Sequence, residues 1–289
     1  MTEIRIARAE EKPKLKQLWK ECFSEPEPFL SFWFDNVCRT DMAAVAADVN
    51  EILCSLHMHE YTLFSFGRKY KAVYICGFGV EKEKRKKGIG RKILEYAHDL
   101  CRKSGADFVF LMPAIDGYYE KFGYVPCSEN VVYEFAPSDI KCGHAREVRR
   151  AESADGLGEI YRKYAGKYDV YLNRSMKDCF GEYSLYDGGV FTVKDKGYML
   201  CKNEKDYTEV FETAYTDTDT LCAFLAYLKA NAKERIVFHA PPDDEIKRIL
   251  YGAKIKKTVE RGIMAKPLRK LDTENVFGFC GGRVFINIF

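Results

Sequence analysis

The sequence has no long hydrophobic run and no clustered cysteines, and both absences narrow the class of protein it encodes. No stretch approaches the ~20 consecutive apolar residues of a membrane-spanning helix, and the opening MTEIRIARAEEKPKLKQLW lacks the hydrophobic segment of a signal peptide. The 11 cysteines are scattered singly and never form Cys-x-x-Cys, which disfavours a disulfide framework and favours buried free thiols. We therefore expect a cytoplasmic protein that does not enter a membrane.

Neither sign of charge dominates the composition. The 46 Lys and Arg residues are offset by 43 Asp and Glu residues, and the net charge of +3 is too small to imply a polyanionic partner such as nucleic acid. Apolar residues make up 47% of the chain and aromatic residues 14%, which is enough for packed interiors. Because 289 residues exceed what one hydrophobic core usually organises, we expect two domains.

The segment from Val80 to Leu94, VEKEKRKKGIGRKIL, places a glycine turn between a strand and a helix. The preceding residues KAVYICGFGV suit a mostly buried strand, and apolar residues recur at helical spacing behind the turn until Gly105. Gly88 and Gly90 thus lie where the first N–H groups of a helix lack partners and its dipole is positive. Such a turn favours the binding of a phosphate by the main chain.

Charge alone allows two other interpretations of this segment. Seven of the eleven residues from Lys82 to Lys92 are Lys or Arg, so the segment could bind nucleic acid or be a solvated run of charge. However, the order Arg85-Lys86-Lys87-Gly88-Ile89-Gly90 resembles motif A of the GCN5-related N-acetyltransferases, the GNAT family. In that family the motif binds the pyrophosphate of coenzyme A.

A second motif follows at the spacing that this family uses. After the strand-like segment Asp107–Met112 comes Tyr119-Glu120-Lys121-Phe122-Gly123-Tyr124, which resembles the acetyltransferase motif B, Tyr-x-x-x-Gly-Phe/Tyr. The order of the motifs and the elements between them favour an acetyltransferase over a chance match.

The resemblance implies an α/β fold (α+β in some schemes) in which a mixed twisted sheet is flanked by helices. The first half has the matching order of a strand, two helices, a hairpin joined at Asn50-Glu51, the central strand, and the glycine turn with its helix. We place a catalytic domain at residues 1–140 and a second domain at 145–289.

The second half is similar to a degenerate GNAT-like domain that contributes to the acceptor cleft. No Arg-x-x-Gly-x-Gly follows its strand around Phe211, and the acidic residues of Ala214-Tyr-Thr-Asp-Thr-Asp219, which stand there instead, would repel a pyrophosphate. An intact domain followed by a degenerate one is similar to the tandem acetyltransferases of the enhanced intracellular survival type. Those enzymes carry a third, sterol-carrier-like domain, for which this sequence has no residues left.

The resemblance also implies how the cofactor is held. Main-chain groups of Phe78, Gly79 and Val80 would pair with the pantetheine arm and polarise the thioester carbonyl. The pyrophosphate would lie on the amides from Lys86 to Arg91, that of Ile89 included. The basic residues Arg85, Lys86, Lys87 and Arg91 would add charge, and Gly88 and Gly90 would allow close approach.

The same resemblance makes Tyr119 the acid that protonates the thiolate of coenzyme A. Packing in the core is the alternative for any one of 19 tyrosines, and we expect Tyr118 and Tyr124 to pack or to line the pocket.

The general base is less defined. His57, His59 and Glu60 lie on a strand near which similar enzymes hold a base or a water, and His57 and His59 share a face because side chains alternate. No nearby Cys or Asp completes a metal site, so we expect half-exposed histidines and no metal. In the similar tandem enzymes the terminal carboxylate is the base, which makes Phe289 a second catalytic candidate.

These features predict an acetyl-CoA-dependent N-acetyltransferase. A primary amine of a small molecule or peptide would attack the thioester directly in a ternary complex. Two alternatives stay open: a nucleic-acid-binding protein that uses residues 82–92, and a coenzyme A sensor without turnover. The identity of the acceptor amine also stays open, as does the oligomeric state, for which a homo-oligomer is possible. We expect Arg174, Asp217 and Asp219 at the acceptor cleft or, more simply, on solvated surface.

Overall fold

A computed structural model of the protein describes residues 2–49, 51–143, 146–242, 245–250, 252–271, 273–277 and 284–285. Within these residues, none of the helices is both long and apolar enough to cross a membrane. The elements up to residue 143 are β1 Glu3–Ile6, α1 Lys12–Cys22, α2 Glu27–Phe32, β2 Ala43–Asp48, β3 Glu51–Ser65, β4 Arg68–Val80, α3 Ile89–Lys103, β5 Phe108–Leu111, β6 Val125–Pro126 and β7 Glu129–Phe135.

The rest of the chain continues with alternating helices and strands. These elements are β8 Arg149–Arg150, α4 Leu157–Ala165, β9 Val170–Asn173, α5 Met176–Tyr183, β10 Gly188–Val193, β11 Gly197–Asn203, β12 Tyr207–Tyr215, α6 Thr218–Asn231, β13 Arg235–Ala240, α7 Glu245–Ile249, β14 Lys256–Arg261, β15 Met264–Pro267, α8 Thr273–Phe277 and β16 Val284–Phe285.

The chain divides into two compact units, and each contains a piece from the other half of the sequence. The first unit comprises residues 1–127 and 263–276, and the second comprises 128–262 and 277–289. The sequence predicts a boundary at 140–145 instead. The division differs because β7 pairs with β13 and β14 of the second unit, whereas β15 pairs with β5 and β6 of the first.

In the first unit, helices cover both faces of one mixed sheet. Its strand order is β1-β2-β3-β4-β5-β15-β6, with β4 and β5 parallel and the other neighbours antiparallel. Because side chains alternate along β2, Ala43 and Val45 pack with α1 and α2, whereas Ala44 and Ala46 pack with α3. This alternation fixes α1 and α3 on opposite faces.

A bulge in β4 marks the place where this strand leaves β5. The two strands pair in parallel from Ala72 to Tyr74, and the bulge follows, since the register of β3 and β4 shifts where Ser55 lies opposite Gly79 and His57 opposite Cys76. One extra residue on β4 bends the strand. The end of β4 thereby becomes one wall of an opening in the sheet.

The second unit repeats the plan of the first. Its sheet has the order β14-β7-β13-β12-β11-β10-β8, and β12 and β13 are its parallel pair, joined by α6 as β4 and β5 are joined by α3. In addition, β9 pairs in parallel with β16. The core of this unit is rich in tyrosine, with Tyr161 and Tyr198 fully buried beside Phe224.

Candidate active site

The turn between β4 and α3 has two residues with left-handed backbone geometry. Lys86 has φ +61° and Gly88 has φ +79°, and Gly88 is the N-cap residue of α3. The Nε of Arg85 donates a hydrogen bond of 3.0 Å to the carbonyl of Val80, which folds this side chain back over the turn. Since glycine offers no capping side chain, the first N–H groups of α3 are left for a bound anion.

Gly90 brings the backbone of α3 close to β4 and to the tyrosine turn. A Cβ atom at this position would lie 3.3 Å from the ring of Phe78 and 3.4 Å from both the hydroxyl of Tyr118 and a methyl group of Val80. Any larger residue would therefore enter the space between these elements.

These elements enclose a pocket of ≈ 730 Å³, within the size range of ligand sites. The pocket brings together ten of the residues that the sequence predicts for the site. These residues are Phe78, Gly79, Val80, Arg85, Lys86, Gly88, Ile89, Gly90, Arg91 and Tyr119. Lys87 is exposed in the same turn and does not belong to the lining.

Tyr119 lines this pocket and is only 7% exposed. Its ring meets those of Tyr118 and Tyr124 edge to face, with centroids 5.1 Å and 5.8 Å away. Burial raises the pKa of Tyr119 to about 12, so its hydroxyl is protonated throughout the physiological range. In this state the hydroxyl can donate a proton but cannot act as a base.

Part of the pocket wall comes from residues that sequence reasoning missed. Cys22 and Phe23, at the end of α1, line the pocket together with Ala114, Ile115 and Phe122. The Cys22 thiol lies 3.5 Å from the carbonyl oxygen of Val80, and a Cβ atom at Gly79 would come within 2.8 Å of its sulfur. Burial raises the pKa of this thiol, so it is uncharged at neutral pH.

Of the two strand histidines, His57 is buried more deeply than the sequence suggests, whereas His59 is partly exposed. His57 is 1% exposed and packs between the rings of Trp19 and Trp33, at centroid distances of 5.3 Å and 4.8 Å. Burial lowers the pKa of His57 to about 3 and that of His59 to about 4. The expectation of half-exposed histidines is thus wrong for His57, because α1 and the turn after α2 cover this face of β3.

Two further predictions concern a metal and a terminal carboxylate. Among the residues described, no three or more His, Cys, Asp or Glu side chains are grouped as a metal site. Phe289, the second catalytic candidate, lies outside the described residues.

The matching helix N-terminus of the second unit is already occupied by an acidic side chain. Asp217 caps α6, and its carboxylate accepts a hydrogen bond of 3.0 Å from the N–H of Thr220 and another from Arg146. Burial acts to raise the pKa of Asp217, but the hydrogen bonds from Arg146 and Thr220 outweigh it and lower the value to about 2. The carboxylate of Asp217 therefore occupies the position that is left open for a phosphate at the N-terminus of α3. The neighbouring Asp219 side chain is 82% exposed.

Arg174 does not lie on solvated surface. Its side chain is 4% exposed and forms an ion pair with Glu212, and its guanidinium lies 4.5 Å from the centroid of the Tyr161 ring. The expected surface role is wrong because Arg174, directly after β9, packs on the buried Tyr161 and pairs with the buried Glu212 of β12.

Comparisons with known proteins agree with this geometry. The family model of the acetyltransferase (GNAT) domain matches residues 3–127. No curated protein matches the sequence.

Solved structures match nearly the whole chain at low sequence identity. A GCN5-related N-acetyltransferase from Kribbella flavida has a TM-score of 0.76 at 16% identity, covering 93% of this chain and 72% of its own. One from Anabaena variabilis has a TM-score of 0.80 at 14% identity, with 93% and 73% covered. Eis1 from Mycobacterium abscessus has a TM-score of 0.73 at 14% identity, with 93% and 74% covered.

Residues 3–127 thus match the family model of the acetyltransferase (GNAT) domain. The two mixed sheets flanked by helices, and the solved structures that share them, confirm the predicted fold class.

Proposed function

We propose that the first unit transfers the acetyl group of acetyl-CoA to a primary amine by direct attack in a ternary complex. The observation that carries this proposal is the single pocket shared by the N-terminus of α3 and a buried, protonated tyrosine, Tyr119. One end of such a pocket suits a pyrophosphate, and the other suits a leaving group that needs a proton.

In this proposal the turn before α3 holds the pyrophosphate. The amides from Lys86 to Arg91 donate hydrogen bonds to phosphate oxygens, and the side chains of Arg85, Lys86 and Arg91 add positive charge. Lys87, which does not line the pocket, contributes only longer-range attraction, which salt screens.

The acyl arm runs beside the end of β4, where the bulge separates this strand from β5. A main-chain N–H at Phe78, Gly79 or Val80 polarises the thioester carbonyl. The neutral amine attacks the carbonyl carbon, the C–S bond breaks, and the thiolate of coenzyme A takes the proton of the Tyr119 hydroxyl. The proton that the amine loses passes to water, and Tyr119 regains its proton from water.

We further propose that the protein acts in the cytoplasm. The ten cysteines within the described residues are all free thiols, which is typical of a reducing compartment.

Isothermal titration with acetyl-CoA tests the binding half of the proposal. Arg85→Gln should weaken binding by about tenfold, because a charged hydrogen bond contributes roughly 1.5 kcal/mol. The matched control is Lys103→Gln, which removes a charge from the exposed last turn of the same helix and should leave the affinity unchanged.

Release of free thiol tests the chemical half. The enzyme is incubated with acetyl-CoA and, in turn, a polyamine, an aminoglycoside, an α-amino acid and a lysine-bearing peptide. Release with any of these amines supports the proposal, whereas tight binding without release from all four would favour the coenzyme A sensor. If acetyl-CoA does not bind but nucleic acid does, with affinity that falls steeply with salt, the enzyme proposal is wrong.

A further inference from the structure

Outside the pocket lining, two buried residues and one partly exposed lysine form a chain of polar contacts. His98 on α3 is 3% exposed and Tyr124 is 1% exposed. The Nε2 atom of His98 lies 2.8 Å from the hydroxyl oxygen of Tyr124, and the ammonium of Lys266 on β15 lies 3.5 Å from Nδ1 of the same imidazole. The chemistry proposed above uses none of these three side chains.

The charges around His98 define which of its nitrogens carries the proton. Burial lowers the pKa of His98 to about 3, with further lowering by Lys266 and Arg102 that Asp99 opposes, so the imidazole is neutral at pH 7. A lysine ammonium has only donors, so Nδ1 accepts from Lys266. The proton then lies on Nε2, which donates to the Tyr124 hydroxyl.

Tyr124 is in turn tied to Tyr119 by its main chain and by its ring. The carbonyl oxygen of Tyr119 accepts hydrogen bonds from the N–H of Phe122 at 2.9 Å and from that of Tyr124 at 3.3 Å. The edge-to-face contact between the two tyrosine rings adds a second link. A shift of the Tyr124 ring therefore shifts Tyr119.

The helix that holds Tyr124 through His98 also forms the turn proposed for the pyrophosphate. His98 lies nine residues beyond Ile89, the first residue of α3, or roughly 14 Å along a rigid helix axis. The pantetheine arm of coenzyme A has a limited length, so the hydroxyl of Tyr119 meets the sulfur only if its distance from the pyrophosphate is held.

We propose that His98 is a positioning residue for Tyr119. Through Tyr124 it holds the proton-donating hydroxyl at a set distance from the turn that binds the pyrophosphate, and Lys266 selects the tautomer that makes this hydrogen bond. The inference rests on the proposed function, since it requires Tyr119 to be the acid.

Three variants test the link from His98 through Tyr124 to Tyr119 by steady-state kinetics with the best amine of the panel. His98→Leu and Tyr124→Phe should each lower kcat by about fivefold or more and change the KM for acetyl-CoA by less than twofold. His98→Gln should recover most of the loss, because its side-chain amide nitrogen can donate from near the position of Nε2. Tyr124→Phe keeps the ring and thereby controls for failure of His98→Leu to fold.

The same substitutions are then made in the Tyr119→Phe background. If His98 acts through Tyr119, His98→Leu has no further effect on kcat there, because the hydroxyl it positions is gone. An equal loss in both backgrounds, or no recovery with His98→Gln, would overturn the inference.

A binding measurement gives a readout that needs no amine. The affinity for coenzyme A relative to desulfo-coenzyme A, which lacks the sulfur, should fall in His98→Leu while the affinity for desulfo-coenzyme A stays the same. An unchanged preference for the sulfur contradicts the positioning role. Failure of the proposed function looks different, since the wild-type chain would then either bind neither compound or bind coenzyme A without releasing thiol from acetyl-CoA with any of the four amines.

Discussion

At Gly77 a missing side chain lets the indole of Trp19 lie directly against the bulge of β4. A Cβ atom there would be 2.2 Å from Cζ3 of Trp19, and the backbone has φ +54°. Gly67, in the turn between β3 and β4, also has positive φ, +77°, but no atom lies within 4 Å of its Cβ position. Substitutions at the two glycines therefore distinguish the free-energy cost of a left-handed backbone from that of a steric clash with Trp19.

We expect Gly77→Ala to destabilise the protein far more than Gly67→Ala. Gly67→Ala should lower the free energy of unfolding by about 1 kcal/mol, because alanine is strained in the left-handed backbone region. Gly77→Ala adds overpacking against the buried indole of Trp19 and should lower it by about 3 kcal/mol or more. Urea denaturation of both variants measures the difference. Equal losses would mean that Trp19 moves away without cost.

The raised pKa of Tyr119 leads to a prediction on pH. An acid acts in its protonated form, so a pKa of about 12 preserves its action as pH rises to 10. Tyr119→Phe should therefore lower kcat by about 100-fold, by the same factor from pH 7 to pH 10, with little change in the affinity for acetyl-CoA. A deficit that shrinks above pH 9 would show that the Tyr119 hydroxyl ionises at a lower pH than its burial implies.

Local motifs made some site residues predictable and left others hidden. Gly88 and Tyr119 stand in short patterns whose chemistry depends on neighbours in the sequence. Cys22 and Phe23 carry no such signal, because they reach the pocket only when α1 packs on β4, more than fifty residues away. The burial of His57 was hidden for the same reason, since an alternating strand does not reveal which helix covers it.

Among the elements, α3 and α6 show how one arrangement can bind a ligand or exclude it. Both helices follow a strand and lead into its parallel neighbour. The N-cap residue of α3 is Gly88, which has no side chain, whereas that of α6 is Asp217, which caps the helix with its carboxylate. A carboxylate at a helix N-terminus both fills the position and repels phosphate.

We therefore expect one molecule of acetyl-CoA per chain. Calorimetric titration of the full chain measures the stoichiometry, and Arg85→Gln should weaken that single event. A second binding event that persists unchanged in Arg85→Gln would show that the second unit also binds acetyl-CoA.

Most helices and strands were predictable from apolar periodicity, but their assignment to units was not. The strand predicted around Phe211 matches β12. In contrast, no pattern predicted β9 or α5. Nothing in the local pattern of β7 or β15 reveals that each pairs within a sheet built mostly from the other half of the chain.

For the whole molecule, β15 is the strand that completes the first unit. It lies between β5 and β6, and Met264 and Leu268 belong to the same buried cluster as Tyr119 and Tyr124. Residues 1–140, the domain that the sequence suggests, would leave an open sheet edge and a gap in this cluster.

We expect the fragment 1–140 to aggregate or to lack a cooperative unfolding transition. The matched control replaces residues 129–261 by Asn-Gly, which joins Ser128 to Gly262 as a hairpin; the N–H of Gly262 already donates to the carbonyl of Ser128 at 3.1 Å. This shortened chain retains β15 and should unfold cooperatively and bind acetyl-CoA. A stable, cofactor-binding 1–140 fragment would show that β15 is dispensable.

The late position of β15 also sets when the domain can mature during synthesis. After residue 126 leaves the ribosome, the strand at 264–267 emerges only on the order of ten seconds later at ordinary elongation rates. Throughout that interval the nascent chain exposes the edge of β5 with which β15 will pair. A chain that ends before residue 264 would leave this edge without its partner strand.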